Sequence, residues 1–420
     1  MPRKLSLKLF KAFNSAHNFL LSLDKKNKRK DFSNKNILEF LKFFHNPQDH
    51  YKTIHVAGTS GKGSTCVLIA NILRAAGYKT GLTISPYLFD PREKIQINNK
   101  LISEKDFINL VDKYKKYLLE FKLTYFEAFI ALAFIYFANE KIDYAVVEVG
   151  LGGRLDATNV FRNPALSIIT SIGLDHTDVL GSTKKLIAKE KSAIIKNKNA
   201  ITGSRLIRNA KFINVKNYKL MCHRRDAINR VSTAQHFKYK NQKYQLKLLG
   251  EYQIQNAILA IEAAKFLHIP EKYIKRGLAQ AEFFGRFSFI KKKPLIIADG
   301  AHNPDKMQAF VVSLKKIIDL TKYSKKYLLL AIKYNKDYQK ILKYIVPYFD
   351  EIIITNFSQG LNPQTIKREI DKYHKKSIII NNPQIAYKKI LKKLNKNDLF
   401  IITGSLYMIG NISKKSPCYS

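Results

Sequence analysis

Short runs of unbroken apolar residues alternate along this chain with segments whose apolar positions recur at helical spacing. Thr53–Gly58 (TIHVAG) predicts a strand, and Ser64–Ala76 predicts a helix with Gly77 as its stop. Lys79–Ser85 predicts a second strand and Phe126–Ala138 an apolar helix. Tyr144–Val149 (YAVVEV) and Ala165–Ile172 (ALSIITSI) predict two more strands. Strands that are apolar on both faces and separated by helices imply a parallel sheet covered on each side.

Residues 205–247 break this pattern. They are polar, basic and alternating, as in FKYKNQKYQLK, and predict a local antiparallel excursion. A helix is expected over Gln253–Leu267. The α/β alternation restarts at Pro294, with apolar runs PLIIADG, YLLLAIKY, EIIITNF, SIIIN and LFIITGS and a helix after Pro304. The restart puts a boundary near Phe284–Pro294. The expectation is an α/β protein: residues 1–285 form a P-loop-type, mostly parallel sheet domain, and 286–420 a smaller Rossmann-like domain.

Length and composition agree with this. A chain of 420 residues exceeds one compact core, and 46% hydrophobic with 25% charged residues is ordinary for a globular protein. No apolar run is long enough to span a bilayer, and the N-terminus MPRKLSLKLFKAF has no apolar signal core. A cytoplasmic protein without a membrane partner is expected. Cys66, Cys222 and Cys418 are far apart and predict reduced thiols, not a metal site or disulfide framework. The net charge of +42 raises the question of nucleic acid. The lysines are spread along the whole chain without an aromatic-basic motif, so no nucleic-acid partner is expected. A positive field would still draw anionic small molecules.

The chemistry concentrates first at GTSGKGST, Gly58 to Thr65. Glycines let backbone amides curl around phosphate oxygens, the following helix offers its N-terminus to the same anion, and Lys62 can reach the outer phosphates. Gly63 separates Lys62 from Ser64, a departure from the general GxxxxGK[ST] spacing. On this motif alone, a glycine-rich turn of some other α/β protein stays open.

The turn after an HVA strand resembles the folylpolyglutamate synthase and dihydrofolate synthase family of the Mur ligase superfamily. Further matches follow in the family's order: Ser85-Pro86, TYFE from Thr124, EVGLGGRLDATN from Glu148, GLDHTDVLG from Gly173 and EKSAIIK from Glu190. Then come Gly250 with Gln253 and Asn256, GRF from Gly285, DGAHNP from Asp299 and TGSLY from Thr403. They span roughly residues 50 to 410.

The resemblance implies an ATP-dependent carboxylate–amine ligase joining L-glutamate to dihydropteroate or to a reduced folate through an acyl phosphate. ATP would be held by Gly58, Thr59, Ser60, Gly61, Lys62, Gly63 and Ser64, with Asn256, Arg286, Asp299 and His302. It implies Mg²⁺, two ions, with Ser85, Glu148 and His176 as metal ligands. Glu148 ends a predicted strand, where a carboxylate suits magnesium, although a capping or salt-bridge role is the plain alternative. His176 is an unusual magnesium ligand, and pairing with Asp175 or Asp178 is its alternative. Lys191 falls where the family carries an N6-carboxylysine, although nothing but a lysine is visible. Lys62, Lys191, His176 and Arg286 are the implied catalytic residues. Phe126, Arg154 and Asp156 are the implied substrate side, with core packing the alternative for Phe126. A monomer is expected.

The sequence also departs from the family's pattern. SNKNILEFLKFF stands in place of a GLxR-type stretch, Tyr87 replaces a histidine, Lys94 replaces an arginine, and Ala193 replaces a glycine. Lysine lacks the planar, bidentate donor of arginine. Ala193 is a small change beside Lys191; the other three fall on the substrate side and leave open whether one or both folate activities are present. Rival readings are a cell-wall Mur-type amino-acid ligase and a nucleic-acid-stimulated ATPase.

Overall fold

The computed structural model describes residues 2–26, 33–221 and 234–412. Contacts group the chain into two compact units. One comprises Met1–Lys216 and Asn256–Leu278, the other Asn217–Gln255 and Ala279–Ser420, so the chain passes between them three times. Cys222 and Cys418 lie outside the described residues, while Cys66 is a buried free thiol. Among the described residues no helix is long and apolar enough to cross a membrane.

The first unit is built on eight strands: β1 (Lys52–Ala57), β2 (Thr80–Thr83), β3 (Gln96–Ile97), β4 (Lys100–Leu101), β5 (Tyr144–Glu148), β6 (Leu166–Ile169), β7 (Ala200–Thr202) and β8 (Lys211–Phe212). Their order is β4-β3-β2-β5-β1-β6-β7-β8. Pairing is parallel from β2 to β8 and antiparallel only at β3 and β4. Every residue of β1 except Lys52, and all of β5 and β6, is buried, as unbroken apolar runs require when helices cover both faces.

The helix after β1 spans Lys62–Ala75 and so starts two residues before Ser64. Gly61 supplies the left-handed N-cap at φ 87°. The apolar helix runs Tyr125–Asn139, and the Thr124 and Glu127 side chains close a reciprocal capping box at its start. Two helices within 1–50, Pro2–Lys26 and Lys35–Phe43, and a third, Glu104–Glu120, pack Leu20, Leu23, Phe40 and Phe107 with Phe129 and Phe134 in one apolar cluster.

The second unit holds a three-stranded antiparallel sheet of β9 (Lys219–Met221), β10 (Gln235–Tyr239) and β11 (Gln242–Leu246). Lys240 and Asn241 both have positive φ, which gives the two-residue hairpin turn its twist. The antiparallel excursion expected over 205–247 is present here, although β8 within that stretch pairs in parallel with β7 of the first sheet. The main sheet contains β12 (Ser288–Lys292), β13 (Leu295–Asp299), β14 (Lys326–Leu330), β15 (Glu351–Ile354), β16 (Lys376–Ile379) and β17 (Leu399–Thr403). It is ordered β12-β13-β17-β14-β15-β16 and is parallel except at β12. The α/β class with two sheet domains is thus as the apolar runs imply.

Candidate active site

In the first unit β2, β5, β1 and β6 lie side by side and point the same way. Their carboxyl ends therefore deliver Ser85, Glu148, the 58–65 turn and the 170–176 segment to one edge, and Val56 of β1 stands opposite Glu148. Open parallel sheets bind ligands at this edge.

The turn is stapled to the segment after β6. Thr59 donates its backbone N–H to Ser171 O at 2.8 Å, and its hydroxyl exchanges hydrogen bonds with Gly173. Thr170 and Ser171 hydroxyls donate to Ser60 O at 2.6 and 3.0 Å. Lys62 Nζ donates to Gly58 O at 3.1 Å, folding its ammonium over the turn. Asn256 lies against Gly61 so closely that a Cβ there would collide with the Asn256 carboxamide. The ATP-side residues of this unit are thus gathered, with Gly63 and Ser64 buried in the first helical turn.

Glu148 Oε2 accepts the backbone N–H of Ser85 at 2.9 Å, so these two candidate metal ligands are adjacent. Among the described residues no three His, Cys, Asp or Glu side chains gather as a metal cluster. Magnesium needs fewer protein ligands, since it keeps water and takes phosphate oxygens beside one carboxylate. The Glu148–Ser85 pair fits that donor set. His176 has left-handed φ, is part-exposed, and its ring Nε2 stands 3.9 Å from Asp175 Oδ1. That is longer than a hydrogen bond; Asp175 Oδ1 instead accepts the His176 backbone N–H at 3.1 Å.

Lys191 is buried. Desolvation first, and then the neighbouring Lys62 cation, pull its pKa down to about 7, against Asp175, Asp156 and Glu190. Gly153 lies against the Lys191 backbone, with a built Cβ only 3.0 Å from its Cα, so the GGRLD loop is fitted onto the helix carrying this lysine. Arg154 is exposed and is engaged by Glu190 at 2.9 Å.

Phe126 and Asp156 meet across Gly150, whose built Cβ would lie 2.6 Å from Phe126 Cζ and 3.2 Å from Asp156 Oδ2. The half-buried ring and the buried carboxylate thus face one stretch of bare backbone. Asp156 accepts from Leu151 N–H at 2.7 Å, Thr158 N–H at 3.0 Å and Thr158 Oγ1 at 2.6 Å. Burial raises its pKa while these donors oppose the rise. Lys94, visible in the sequence only as a departure, is a buried ammonium between 5.2 and 5.8 Å from the ring centres of Tyr87, Tyr125, Phe126 and Phe129. Desolvation brings its pKa down to about 8, with Glu148 pulling the other way.

In the second unit Asp299 ends β13. Its carboxylate accepts from Phe287 N–H and Ala301 N–H at 2.8 Å each and from Tyr252 Oη at 3.1 Å. Burial raises Asp299, and Arg286 is the largest opposing influence. Arg286 also lies over the Phe283 ring. His302 Nδ1 is 2.7 Å from Gly300 O, and a carbonyl can only accept, so Nδ1 carries the proton. Its Nε2 then accepts from Lys306 Nζ at 3.0 Å. Tyr252 and Lys306 were missed in the sequence. Tyr252 stands three residues after the apolar pair Leu248-Leu249, beside the GxxQxxN match, where only its place in a signature could have flagged it.

Comparison with known proteins locates similarity to the Mur ligase middle domain over residues 56–264 and to the Mur ligase, glutamate ligase domain over 285–406. The dihydrofolate synthase/folylpolyglutamate synthase of Bacillus subtilis is 32% identical over 403 residues, spanning 88% of this chain and 91% of that protein. The structure of Thermotoga maritima folylpolyglutamate synthase is 29% identical with a TM-score of 0.77, covering 94% of this chain and 96% of that one. Mycobacterium tuberculosis folylpolyglutamate synthase complexed with ADP and AMPPCP gives a TM-score of 0.81 at 25% identity, covering 94% and 98%.

Proposed function

The chain belongs to the folylpolyglutamate synthase and dihydrofolate synthase family of the Mur ligases, and from this we propose how its residues carry out ATP-dependent ligation of L-glutamate. The acceptor is a pteroyl carboxylate: that of dihydropteroate, the γ-carboxylate of a reduced folate, or both. The observation that supports this best is the shared edge where the phosphate turn and Glu148 stand on neighbouring parallel strands in register.

The acceptor's carboxylate oxygen attacks the γ-phosphorus of ATP and ADP leaves, giving an acyl phosphate. The amine of glutamate attacks the acyl carbon and loses a proton. The tetrahedral adduct then expels phosphate and leaves an amide. The amides of Gly58 to Ser64 cradle the phosphates, and Lys62 exchanges Gly58 O for phosphate oxygen. Asn256, beside the turn, lies on the nucleotide side. Glu148 and Ser85, joined by His176 in the family's pattern, would hold Mg²⁺, which when bound neutralises phosphate charge. Asp299 suits hydroxyl recognition on ATP, His302 lies three residues beyond it, and Arg286 supplies a cation for the transferred phosphoryl group. Phe126 and Asp156 hold the pterin ring, and Arg154 borders that side.

Lys191 suits carboxylation on its ε-nitrogen. Burial and the Lys62 cation favour its neutral amine, and CO₂ adds only to a neutral amine. The product would turn repulsion from Lys62 into attraction. In functional terms 1–285 is the ATP-binding part and 286–420 the ligase part, acting as a monomer in the cytoplasm.

The purified protein with ATP, Mg²⁺ and L-glutamate should release phosphate and product on dihydropteroate, on tetrahydrofolate, or on both. Product from neither, or ATP turnover stimulated by RNA or DNA instead, overturns the proposal.

A further inference from the structure

His55 sits in the middle of β1, three residues before the phosphate turn. Its neighbours Ile54, Val56 and Ala57 are wholly buried and apolar, and His55 is itself 1% exposed. A buried imidazole in such a strand must place its N–H on something. His55 Nε2 is 2.8 Å from Thr158 Oγ1, and Thr158 Oγ1 is 2.6 Å from Asp156 Oδ1.

The direction of this chain follows from counting protons. Thr158 has one hydroxyl proton, and the Asp156 carboxylate can only accept, so that proton goes to Asp156. The Thr158 oxygen is then an acceptor toward His55, and Nε2 carries the ring N–H. Burial, with Lys196 nearby, brings the His55 pKa down to about 3, which keeps the ring neutral with a single N–H. The Phe161 ring, 5.3 Å away and nearly perpendicular, stands against the imidazole.

We infer that His55 is a positioning residue for the substrate: by occupying the lone pair of Thr158 it fixes the direction of the Thr158 hydroxyl and so the rotation of the Asp156 carboxylate. It touches no ligand itself. The carboxylate is held at Oδ2 by Leu151 N–H and at Oδ1 by Thr158. Oδ2 and the Phe126 ring edge both border Gly150, and it is beside that ring that an N–H-bearing heteroaromatic ring would be recognised. This inference rests on the proposed substrate role of Asp156.

Four single variants of the full-length chain, His55→Leu, His55→Gln, Thr158→Val and Asp156→Asn, and the His55→Leu/Thr158→Val double variant test it. The measurements are KM for the pteroyl substrate, KM for ATP, kcat and thermal midpoint. Losing one hydrogen bond that orients a charged group predicts a rise of about tenfold in the pteroyl KM for His55→Leu. The ATP KM should stay within about twofold. Gln, whose amide nitrogen can reach the place of Nε2, should recover most of the loss. Thr158→Val should reproduce the defect, and adding His55→Leu to it should cost little more, because both cut one chain. Thr158→Val also reports on the relay if His55→Leu does not fold. The inference is overturned if the pteroyl and ATP constants move together, if Gln is as poor as Leu, or if the two defects multiply. An unchanged pteroyl KM in Asp156→Asn sinks the underlying substrate reading instead; a raised one beside a normal His55→Leu sinks only the relay.

Discussion

Replacing Gly150 with alanine tests the substrate side with a single methyl group. Gly150 does not occupy the left-handed region, so alanine carries no backbone penalty and its effect is steric. The new carbon would stand 2.6 Å from Phe126 Cζ and 3.2 Å from Asp156 Oδ2. Carbon atoms pack at roughly 3.5 to 4.0 Å, so one group must retreat by about 1 Å. Asp156 is held by three donors from Leu151 and Thr158, whereas Phe126 is half-buried and contacts the methyl only through its ring edge. The ring therefore moves. Overpacking of this kind costs about 1–3 kcal/mol, and where the displaced ring forms the substrate wall the cost appears as lost binding, roughly 5- to 150-fold in the pteroyl KM. Steady-state kinetics with each substrate varied in turn, beside thermal unfolding, would read it. A pteroyl KM within twofold of the parent, or an equal rise in the ATP KM, would refute the placement of Phe126 at the substrate.

Lys62→Ala should abolish ligation while leaving the thermal midpoint almost unchanged, because among the described residues its one hydrogen bond is to Gly58 O; undiminished turnover means the turn has been misread. Lys191→Ala should lose activity and regain part of it with formate or acetate, and ¹³CO₂ should label the parent protein but not the variant. Unmodified Lys191 has its pKa lowered from 10.5 to about 7, so between those values the unfolded chain holds more protons and stability climbs with pH. In CO₂-free buffer Lys191→Met should thus be more stable than the parent at pH 7, with the gap narrowing toward pH 10; a gap constant with pH contradicts the shift. Gly277→Ala should destabilise by about 1–3 kcal/mol, since its Cβ would sit 2.5 Å from Ile72 Cα and 2.7 Å from Ile72 N, and helix backbone cannot step aside. An unchanged denaturation midpoint would show that those helices can separate.

What the sequence made legible followed physical signals of different strength. Unbroken apolar runs gave the parallel strands, because burial on both faces leaves no room for polar alternation. The phosphate turn was visible because glycine spacing is a local requirement. Some of the family's signature is architecture: in TYFE, Thr124 and Glu127 form a helix cap. The helices over Pro2–Lys26 and Glu104–Glu120 went unread, since frequent lysines dilute their apolar stripes. The aromatic surroundings of Lys94 and the His55–Thr158–Asp156 chain could not be foreseen. They join residues up to 103 positions apart in the chain, and only the fold brings them together.

The three passages of the chain between the units, at 216/217, 255/256 and 278/279, bear on how the protein is made. Residues 217–255 leave the ribosome before any strand of the six-stranded sheet they group with has been synthesised. They must wait, while residues 256–278 turn back to complete the first unit. No single cut of the gene yields either unit whole, so a fragment ending at residue 285 would carry a segment belonging to a partner not yet made.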